Sequence, residues 1–234
     1  MPTSPEAFER RIARLEADLV EQGRRVVKML EASVAAVFDR DADQARWVVE
    51  HDALIDKADV DIERAAVSLL TDIAREASDL GPEILRMILT VVKVNNEYER
   101  IADCSVNIAE RVSEFDSLAE APPPVFRVMA NSVIGIVQNT NTALERLDND
   151  LARVVLASDD TVDEFEERLL RDVQQALCAG EIQSDSACAL HNVAIQLERI
   201  GDHCTNVAEQ VIYVTTGKIV RHAAGHWTDP QTPA

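Results

Sequence analysis

An internal repeat constrains the fold of this chain more than any other feature of its sequence. The pattern Glu-Arg-Ile-x-Asp-x-x-x-Asn-x-Ala-Glu occurs at residues 99–110 and again at 198–209. A second pattern, Val-x-x-x-Asp-x-x-x-Asp, occurs at 48–56 and again at 155–163. Because two separate segments recur in the same order, the sequence predicts two structural halves related by duplication.

Both halves are predicted to be helical throughout. The chain has only 7 Gly, 8 Pro and 4% aromatic residues, a composition poor in turn and strand formers. Apolar residues recur at intervals of three, four or seven, as amphipathic helices require. This periodicity predicts six helices at about 6–38, 43–77, 82–118, 125–147, 148–179 and 184–216, and then a tail whose start is ordered and whose end is loose.

A run of prolines divides the chain. The segment Ala121-Pro122-Pro123-Pro124 cannot continue a helix, because proline lacks the backbone N–H group and clashes with the preceding turn. We therefore expect an all-α protein of two tandem three-helix bundles, the first formed by residues 1–120 and the second by residues 121–234.

Paired carboxylates are the candidate functional residues. In each half, the middle and last predicted helices carry acidic residues four positions apart, which places both side chains on one helix face. If these helices are antiparallel neighbours, the pairs face each other and offer several oxygen ligands to a cation. The predicted metal ligands are Asp52, Asp56, Glu99 and Asp103 in the first half, and Asp159, Asp163, Glu198 and Asp202 in the second.

Further polar residues continue these acidic stripes at helical spacing. Asp59 and Glu63 extend the stripe of the first half, and Glu166 extends that of the second. The motif residues Asn107 and Asn206 follow the last acid of each motif by four positions, so we interpret them as part of the same stripe.

The identity of the metal is not fixed by these ligands. Oxygen donors discriminate poorly among Fe, Mn, Mg and Zn. Histidine gives little help, because His51, His191 and His203 each stand in only one half.

A solvated acidic face is the alternative interpretation of these stripes. Asp103 and Asp202 each have an arginine three positions earlier and could be paired locally. Several other acids have no basic residue three or four positions away, namely Glu99, Glu198, Asp52, Asp56 and Asp163. Duplication together with these missing partners favours metal binding.

The charge of the chain restricts its partners. Acidic residues outnumber Lys plus Arg by 42 to 23, and the net charge of -19 opposes binding to nucleic acid or to an anionic lipid surface. No segment reaches the roughly 18 apolar residues of a membrane span, and the start lacks the pattern of a signal peptide. We expect a cytoplasmic protein that binds cations or other proteins, with its four cysteines buried as small hydrophobic residues.

The joint pattern resembles the PhoU family of phosphate-signalling regulators. The resemblance rests on two three-helix repeats, each with Asp-x-x-x-Asp on the middle helix and the Glu-Arg-Ile motif on the last, and covers residues 8–222. It implies a cytoplasmic, usually dimeric adaptor that is not an enzyme. Such an adaptor acts between the phosphate ABC transporter, with its ATPase, and a sensor histidine kinase, restraining uptake and the starvation response when phosphate is plentiful.

The resemblance also bears on metal. Some family members bind multinuclear iron or zinc clusters on these acidic pairs, which makes Fe or Zn the favoured ions here and leaves Mn or Mg open. Two departures from symmetry leave the equivalence of the two sites open: Leu170 stands where Glu63 would align, and His203 stands where Cys104 would align.

Two other functions remain open at this point. A di-iron carboxylate oxidase of the ferritin-like type also places its metal between helices, but it uses Glu-x-x-His, and no histidine here has a Glu three residues before it. A metal-free acidic helical scaffold would use the same stripes to bind a basic partner surface.

Overall fold

The computed structural model of the chain describes residues 5–76, 81–115, 122–223 and 226–228. These residues form long helices followed by a short hairpin. In chain order the elements are α1 (Pro5–Asp39), α2 (Ala42–Glu76), α3 (Pro82–Ala109), α4 (Val112–Phe115), α5 (Pro124–Arg146), α6 (Asn149–Ala157), α7 (Asp159–Ala179), α8 (Ser184–Thr216), β1 (Arg221–Ala223) and β2 (His226–Thr228).

The all-α prediction is confirmed, with two of the six predicted helices divided into two pieces. The third ends at Ala109 and is followed by the single turn α4. The fifth is divided at Ser158, whose amide donates to the Val155 carbonyl at 3.0 Å and whose hydroxyl donates to the Val154 carbonyl at 2.8 Å. The amide bond spans three residues instead of four, which tightens the turn locally and separates α6 from α7. The predicted ends at 77 and 118, and the domain boundary at 120, lie outside the described residues.

The helix ends follow local sequence signals. Gly180 and Gly217 end α7 and α8 with φ of 74° and 73°, a left-handed conformation that glycine adopts without steric cost. Asp148 begins α6, because its side chain accepts hydrogen bonds from the backbone amides of Asp150 and Leu151, each at 3.0 Å. The antiparallel hairpin of β1 and β2 was not predicted from the sequence.

The two bundles share one hydrophobic core. Helices α1, α2 and α3 pack together in the first half, and α5, α6, α7 and α8 pack together in the second. The halves are joined where α3 packs against α8 and where α1 packs against α5. The motif residues Ile101 and Ile200 are both fully buried, so the repeated motif lies at the centre of the molecule.

Two of the four cysteines are buried, as the sequence analysis predicted for all four. Cys104 and Cys204 are buried, and burial raises the pKa of their thiols to about 11 and about 12. The prediction was wrong for Cys178 and Cys188, which are exposed. Among the described residues, no helix is both long and apolar enough to cross a membrane.

Helices α1, α3 and α5 approach each other closely, so α1 contacts both halves. The Tyr98 hydroxyl on α3 donates to Asn141 Oδ1 on α5 at 2.6 Å, and Tyr98 is fully buried. Gly23 on α1 lies against this pair, since a Cβ atom added to it would come within 2.5 Å of Asn141 Oδ1 and 2.8 Å of the Tyr98 hydroxyl oxygen. Only glycine fits here without displacing the hydrogen-bonded pair.

We expect Gly23→Ala to destabilise the protein, because overpacking of this kind costs about 1–3 kcal/mol and exceeds the gain of about 1 kcal/mol in helix propensity. Gly135→Ala on α5 is the matched control, since a Cβ atom there meets no atom within 4 Å. The free energy of unfolding, measured by denaturant titration, should fall for the first variant and rise for the second. A change in the same direction for both would contradict this account.

Candidate functional site

Helices α3 and α8, which carry the two copies of the motif, run antiparallel across each other. The Asn107 amide nitrogen donates to Gln196 Oε1 at 3.4 Å, and the Asn206 amide nitrogen donates to Glu97 Oε2 at 3.2 Å. Residue numbers therefore fall along one helix as they rise along the other. Because 107 aligns with 206 and 97 with 196 in the repeat, the two contacts are equivalent.

The motif asparagines thus serve the junction between the halves. Their amide nitrogens donate hydrogen bonds to side chains of the opposite motif helix. The sequence analysis, which assigned both asparagines to the acidic stripes, did not predict this role. Glu97 and Gln196 were missed as well, although their alignment, two residues before each Glu-Arg-Ile, was a usable signal in the sequence.

One side of this junction carries an ionisable pair. His203 Nδ1 lies 2.7 Å from Glu97 Oε2, and the two side chains are only 12% and 19% exposed. On the other side, Cys104 aligns with His203 and Gln196 aligns with Glu97, so the pair is not repeated. His203 is therefore held by the first half, while its neighbour Asp202 belongs to the acidic stripe.

The first carboxylate cluster lies between α2 and α3. Asn95 on α3 donates to the backbone carbonyl of Asp59 at 3.0 Å and to its Oδ1 atom at 2.7 Å, which brings the two helices together. Burial raises the pKa of Asp52, followed by repulsion from Asp56 and Asp103. Acids from the two helices therefore face each other, as the spacing predicted.

Glu99 completes this first cluster. Burial raises the pKa of Glu99 most, and Asp103, Asp59 and Asp56 raise it further, whereas Arg100 opposes the shift. The cluster thus consists of Asp52, Asp56 and Asp59 on α2 with Glu99 and Asp103 on α3.

The second carboxylate cluster lies between α7 and α8. These helices pack closely, since a Cβ atom added to Gly201 would lie 3.5 Å from the Val162 side chain. The pKa of Glu198 is raised from 4.5 to about 7, mainly by burial and then by repulsion from four neighbouring acids. These acids are Asp202, Glu166, Asp163 and Asp159. Asp59 thus lies in the same acidic cluster as the predicted ligands of the first half, and Glu166 in that of the second.

The clusters have few local counter-charges. Six of the predicted ligands make no ion pair with a Lys, Arg or His among the residues that the structure describes. They are Asp52, Asp56, Glu99, Asp103, Asp163 and Glu198. Their mutual repulsion favours a bound proton or a bound cation.

The donor set fits a metal ion in its chemistry. Carboxylate oxygens suit Mg and Mn, and they also occur in Fe and Zn sites. Within the described ranges, however, no three His, Cys, Asp or Glu side chains are arranged as a formed metal site. The helices therefore supply the donors close together, and the side chains themselves would have to turn toward an ion.

The second cluster opens into a groove between the halves. This groove has a volume of about 800 Å³, and its lining includes Asp159 and Asp202 on one side and Lys93 and Glu97 on the other. Gln210, which is 7% exposed, also lines it. The cluster is thus accessible from solution at the place where the two halves meet.

In metal-free protein, Glu198 makes stability depend on pH. Its pKa of about 7, above the 4.5 of an unperturbed side chain, means that the folded chain binds more protons than the unfolded chain between these values. Stability therefore falls as pH rises through this window. We expect Glu198→Gln to raise the melting temperature in chelator at pH 8, with the gain vanishing below pH 4.5.

Glu9→Gln, on the exposed part of α1, is the control for this measurement. It removes one carboxylate without touching either cluster. Equal melting temperatures for Glu198→Gln and the unmodified chain at pH 8 would show that neither burial nor repulsion by its neighbours disfavours the charged form of this carboxylate.

Comparison with known proteins agrees with this architecture. The PhoU domain family matches the chain twice, at residues 19–112 and 126–211. The phosphate-specific transport system accessory protein PhoU homolog 1 of Thermotoga maritima is 34% identical over 218 residues, covering 90% of both chains. The accessory protein PhoU of Escherichia coli K12 is 26% identical over 223 residues, covering 95% of this chain and 90% of that protein.

Solved structures show the same fold. The crystal structure of PhoU from Pseudomonas aeruginosa superposes with a TM-score of 0.83 at 28% identity, covering 90% of this chain and 99% of that one. The PhoU structure from Streptococcus pneumoniae gives a TM-score of 0.83 at 19% identity, with 92% and 100% covered. With two matched domains, two facing carboxylate clusters and an antiparallel motif junction, the chain belongs to the PhoU family.

Proposed function

We propose that this chain is a regulator of phosphate uptake and of the phosphate-starvation response. In this role it restrains the phosphate ABC transporter and its sensor histidine kinase when phosphate is plentiful. Family membership supports an accessory role in phosphate transport, since relatives that cover 90% and 95% of this chain are described as accessory proteins of a phosphate-specific transport system. Such a protein acts by binding others, and we propose no catalytic step.

One observation carries the mechanism that we propose. The two carboxylate clusters lie on the two helices, α3 and α8, that also form the junction between the halves. A change in the charge of either cluster therefore acts on a helix that both halves share. This arrangement suits a regulator, because the packing at one junction can respond to two sites.

We propose that metal ions are held by the predicted ligands together with Asp59 and Glu166. The groups are Asp52, Asp56, Glu99 and Asp103 in the first half, and Asp159, Asp163, Glu198 and Asp202 in the second. A bound cation supplies positive charge that offsets the repulsion among the carboxylates, and Fe or Zn is the favoured ion. The carboxylates in turn hold α2 against α3 and α7 against α8.

The proposed setting is the cytoplasm, where the protein acts as a homodimer. Its partners are the ATPase of the phosphate ABC transporter and the cytoplasmic part of the sensor kinase. Strong negative charge supports protein partners rather than DNA, so any effect on transcription passes through the kinase.

A metal-free acidic scaffold is the second candidate function. It is favoured by one observation, that the described side chains are not arranged as a formed metal site. In that case the clusters act directly as docking surfaces for basic partner residues. Metal analysis separates the two candidates.

Elemental analysis of protein purified without a histidine tag should find tightly held transition-metal ions. A variant with Glu99, Asp103, Glu198 and Asp202 changed to Ala should lose them, because each cluster then keeps ligands from one helix only. The matched control changes four exposed acids elsewhere, Glu9, Asp43, Asp61 and Glu181, and should keep the ions. Purified wild-type protein without metal would favour the scaffold.

Partner binding should depend on the clusters. In co-purification with the transporter ATPase and the cytoplasmic kinase domain, we expect Glu99→Ala plus Glu198→Ala to weaken binding and alter the unfolding transition. The control pair Glu9→Ala plus Glu181→Ala removes the same charge from exposed positions. If the cluster variant binds both partners and unfolds as the wild type does, occupancy of the clusters does not control partner choice.

A further inference from the structure

The groove between the halves has the dimensions of a ligand site. Its volume of about 800 Å³ falls within the range of roughly 300–1,000 Å³ that is typical of ligand pockets. Its walls are formed by α3 and α8, together with the first residue of α7. We call this feature the junction groove, and carboxylate and amide side chains make up most of its lining.

The junction groove carries an excess of negative charge. Lys93 is the one basic residue in the described part of the lining, and its ammonium group lies 5.9 Å from the ring centroid of Tyr213. Four carboxylates line the same groove, namely Glu97, Asp159, Asp202 and Glu209. The groove therefore favours a positively charged occupant and disfavours an anion.

A buried amide in the lining lacks a hydrogen-bond donor. Gln210 is 7% exposed, and its Oε1 atom has no hydrogen-bond partner among the described residues. Buried acceptors in folded proteins are nearly always paired, because an acceptor that loses its hydration without gaining a donor destabilises the fold. Gln210 thus indicates a donor that the described part of the chain does not supply.

The antiparallel register places this amide near a carboxylate of the other half. Asn206 on α8 donates to Glu97 Oε2 on α3 at 3.2 Å. Gln210 follows Asn206 by four positions, so it lies on the same face of α8 and about 5.4 Å further along the helix. An occupant that donates to Gln210 therefore lies about one helical turn from the Glu97 carboxylate.

A guanidinium group fits this combination better than other cations do. It is always charged, presents five N–H donors in one plane, and is more weakly hydrated than an ammonium group. One such group can donate to an amide oxygen while its charge is offset by the surrounding carboxylates. A metal ion fits less well, because the described side chains are not arranged as a formed metal site.

The internal repeat offers a comparison at this position. Arg111 of the first half aligns with Gln210 of the second, since α3 and α8 align at a shift of 99 residues. The guanidinium group of Arg111 donates to Glu114 Oε1 at 2.8 Å. The first half thus has a guanidinium group of its own where the second half has an amide without a donor.

We propose that the junction groove binds an arginine side chain of a partner protein. Gln210 accepts one N–H bond from the guanidinium group, and Glu97 with the other carboxylates offsets its charge. The volume of the groove leaves room for residues of the partner on either side of the arginine. This inference rests on the proposed role of the chain in binding other proteins and names the chemistry of one contact.

A peptide titration tests the chemistry of the groove. Chelator-treated full-length protein is titrated with acetyl-Gly-Arg-Gly-amide, and binding is followed by NMR of the backbone amides. The control peptide carries citrulline, which keeps the shape of arginine without its charge, and we expect it to bind about tenfold more weakly. Gln210→Leu should weaken binding of the arginine peptide roughly tenfold. Gln174→Leu, at an exposed position of α7, should leave it unchanged.

An exchange variant, Gln210→Arg, carries the residue found at the aligned position of the first half. Its side chain should fill the groove and prevent binding of the arginine peptide. Melting temperatures establish that the variants fold, and Gln210→Leu should be at least as stable as the wild type because it removes an unpaired buried oxygen. No binding of the arginine peptide to the wild type, or equal binding of both peptides, would overturn the inference.

Co-purification with the transporter ATPase and the cytoplasmic kinase domain separates this inference from the function on which it rests. We expect both Gln210 variants to bind at least one of these partners more weakly than the wild type does. If they bind both partners as the wild type does, the role of the groove is overturned while the proposed function stands. If the wild type binds neither partner but binds the arginine peptide through Gln210, the proposed function fails and the arginine site stands. If Gln210→Arg instead converts a dimer to a monomer and keeps both partners, the groove holds a second copy of the chain and the inference is wrong.

Discussion

The antiparallel contact between α3 and α8 is the interaction on which the rest of the structure depends. Each of these helices packs within its own bundle and also against the other helix, so its buried residues serve two sets of contacts. In α8, for example, Ile200 and Gly201 are both buried, as are Cys204 and Thr205. The positions that remain outside the core carry polar residues, and the acids of each cluster are among them. The core therefore fixes where the carboxylates lie.

Apolar packing is strong enough to hold these like charges together. Two acids one turn apart on an exposed helix repel by about 0.2–0.5 kcal/mol. Burial of one Leu or Ile side chain contributes about 1.5–3 kcal/mol, so a few core residues offset several repulsive pairs. Leu169 and Leu197, both fully buried, are core residues of this kind on α7 and α8, the helices that carry the second cluster. The raised pKa of Glu198 follows first from its burial and then from repulsion by the neighbouring carboxylates that this packing holds in place.

Most of the fold and about half of the site's organisation follow from sequence alone, and the division has a physical reason. Helix positions and the facing of acidic pairs depend on spacing within a helix, which the sequence states directly. Contacts between the halves depend on how two helices cross, and spacing does not encode the crossing. For this reason the sequence correctly predicted that Asp52 and Glu99 lie near acids of the neighbouring helix. It did not predict the hydrogen bonds that Asn107 and Asn206 make across the junction. The break at Ser158 was missed because it consists of one backbone amide that bonds three residues back instead of four, which apolar periodicity does not register.

Electrostatic effects cross the junction between the halves. Burial is the main cause of the raised pKa of Cys104. Two residues of the other half also act on this thiol: Arg199 lowers its pKa, and Glu198 raises it. The second motif therefore influences a residue adjacent to Asp103 in the first cluster. Duplication created two clusters on one shared pair of helices, and substitutions at positions outside the core could then change one cluster without disturbing the packing of either. Charges of the second half thus act on a residue of the first half, and the proposed regulation through the α3–α8 junction relies on an influence of this kind.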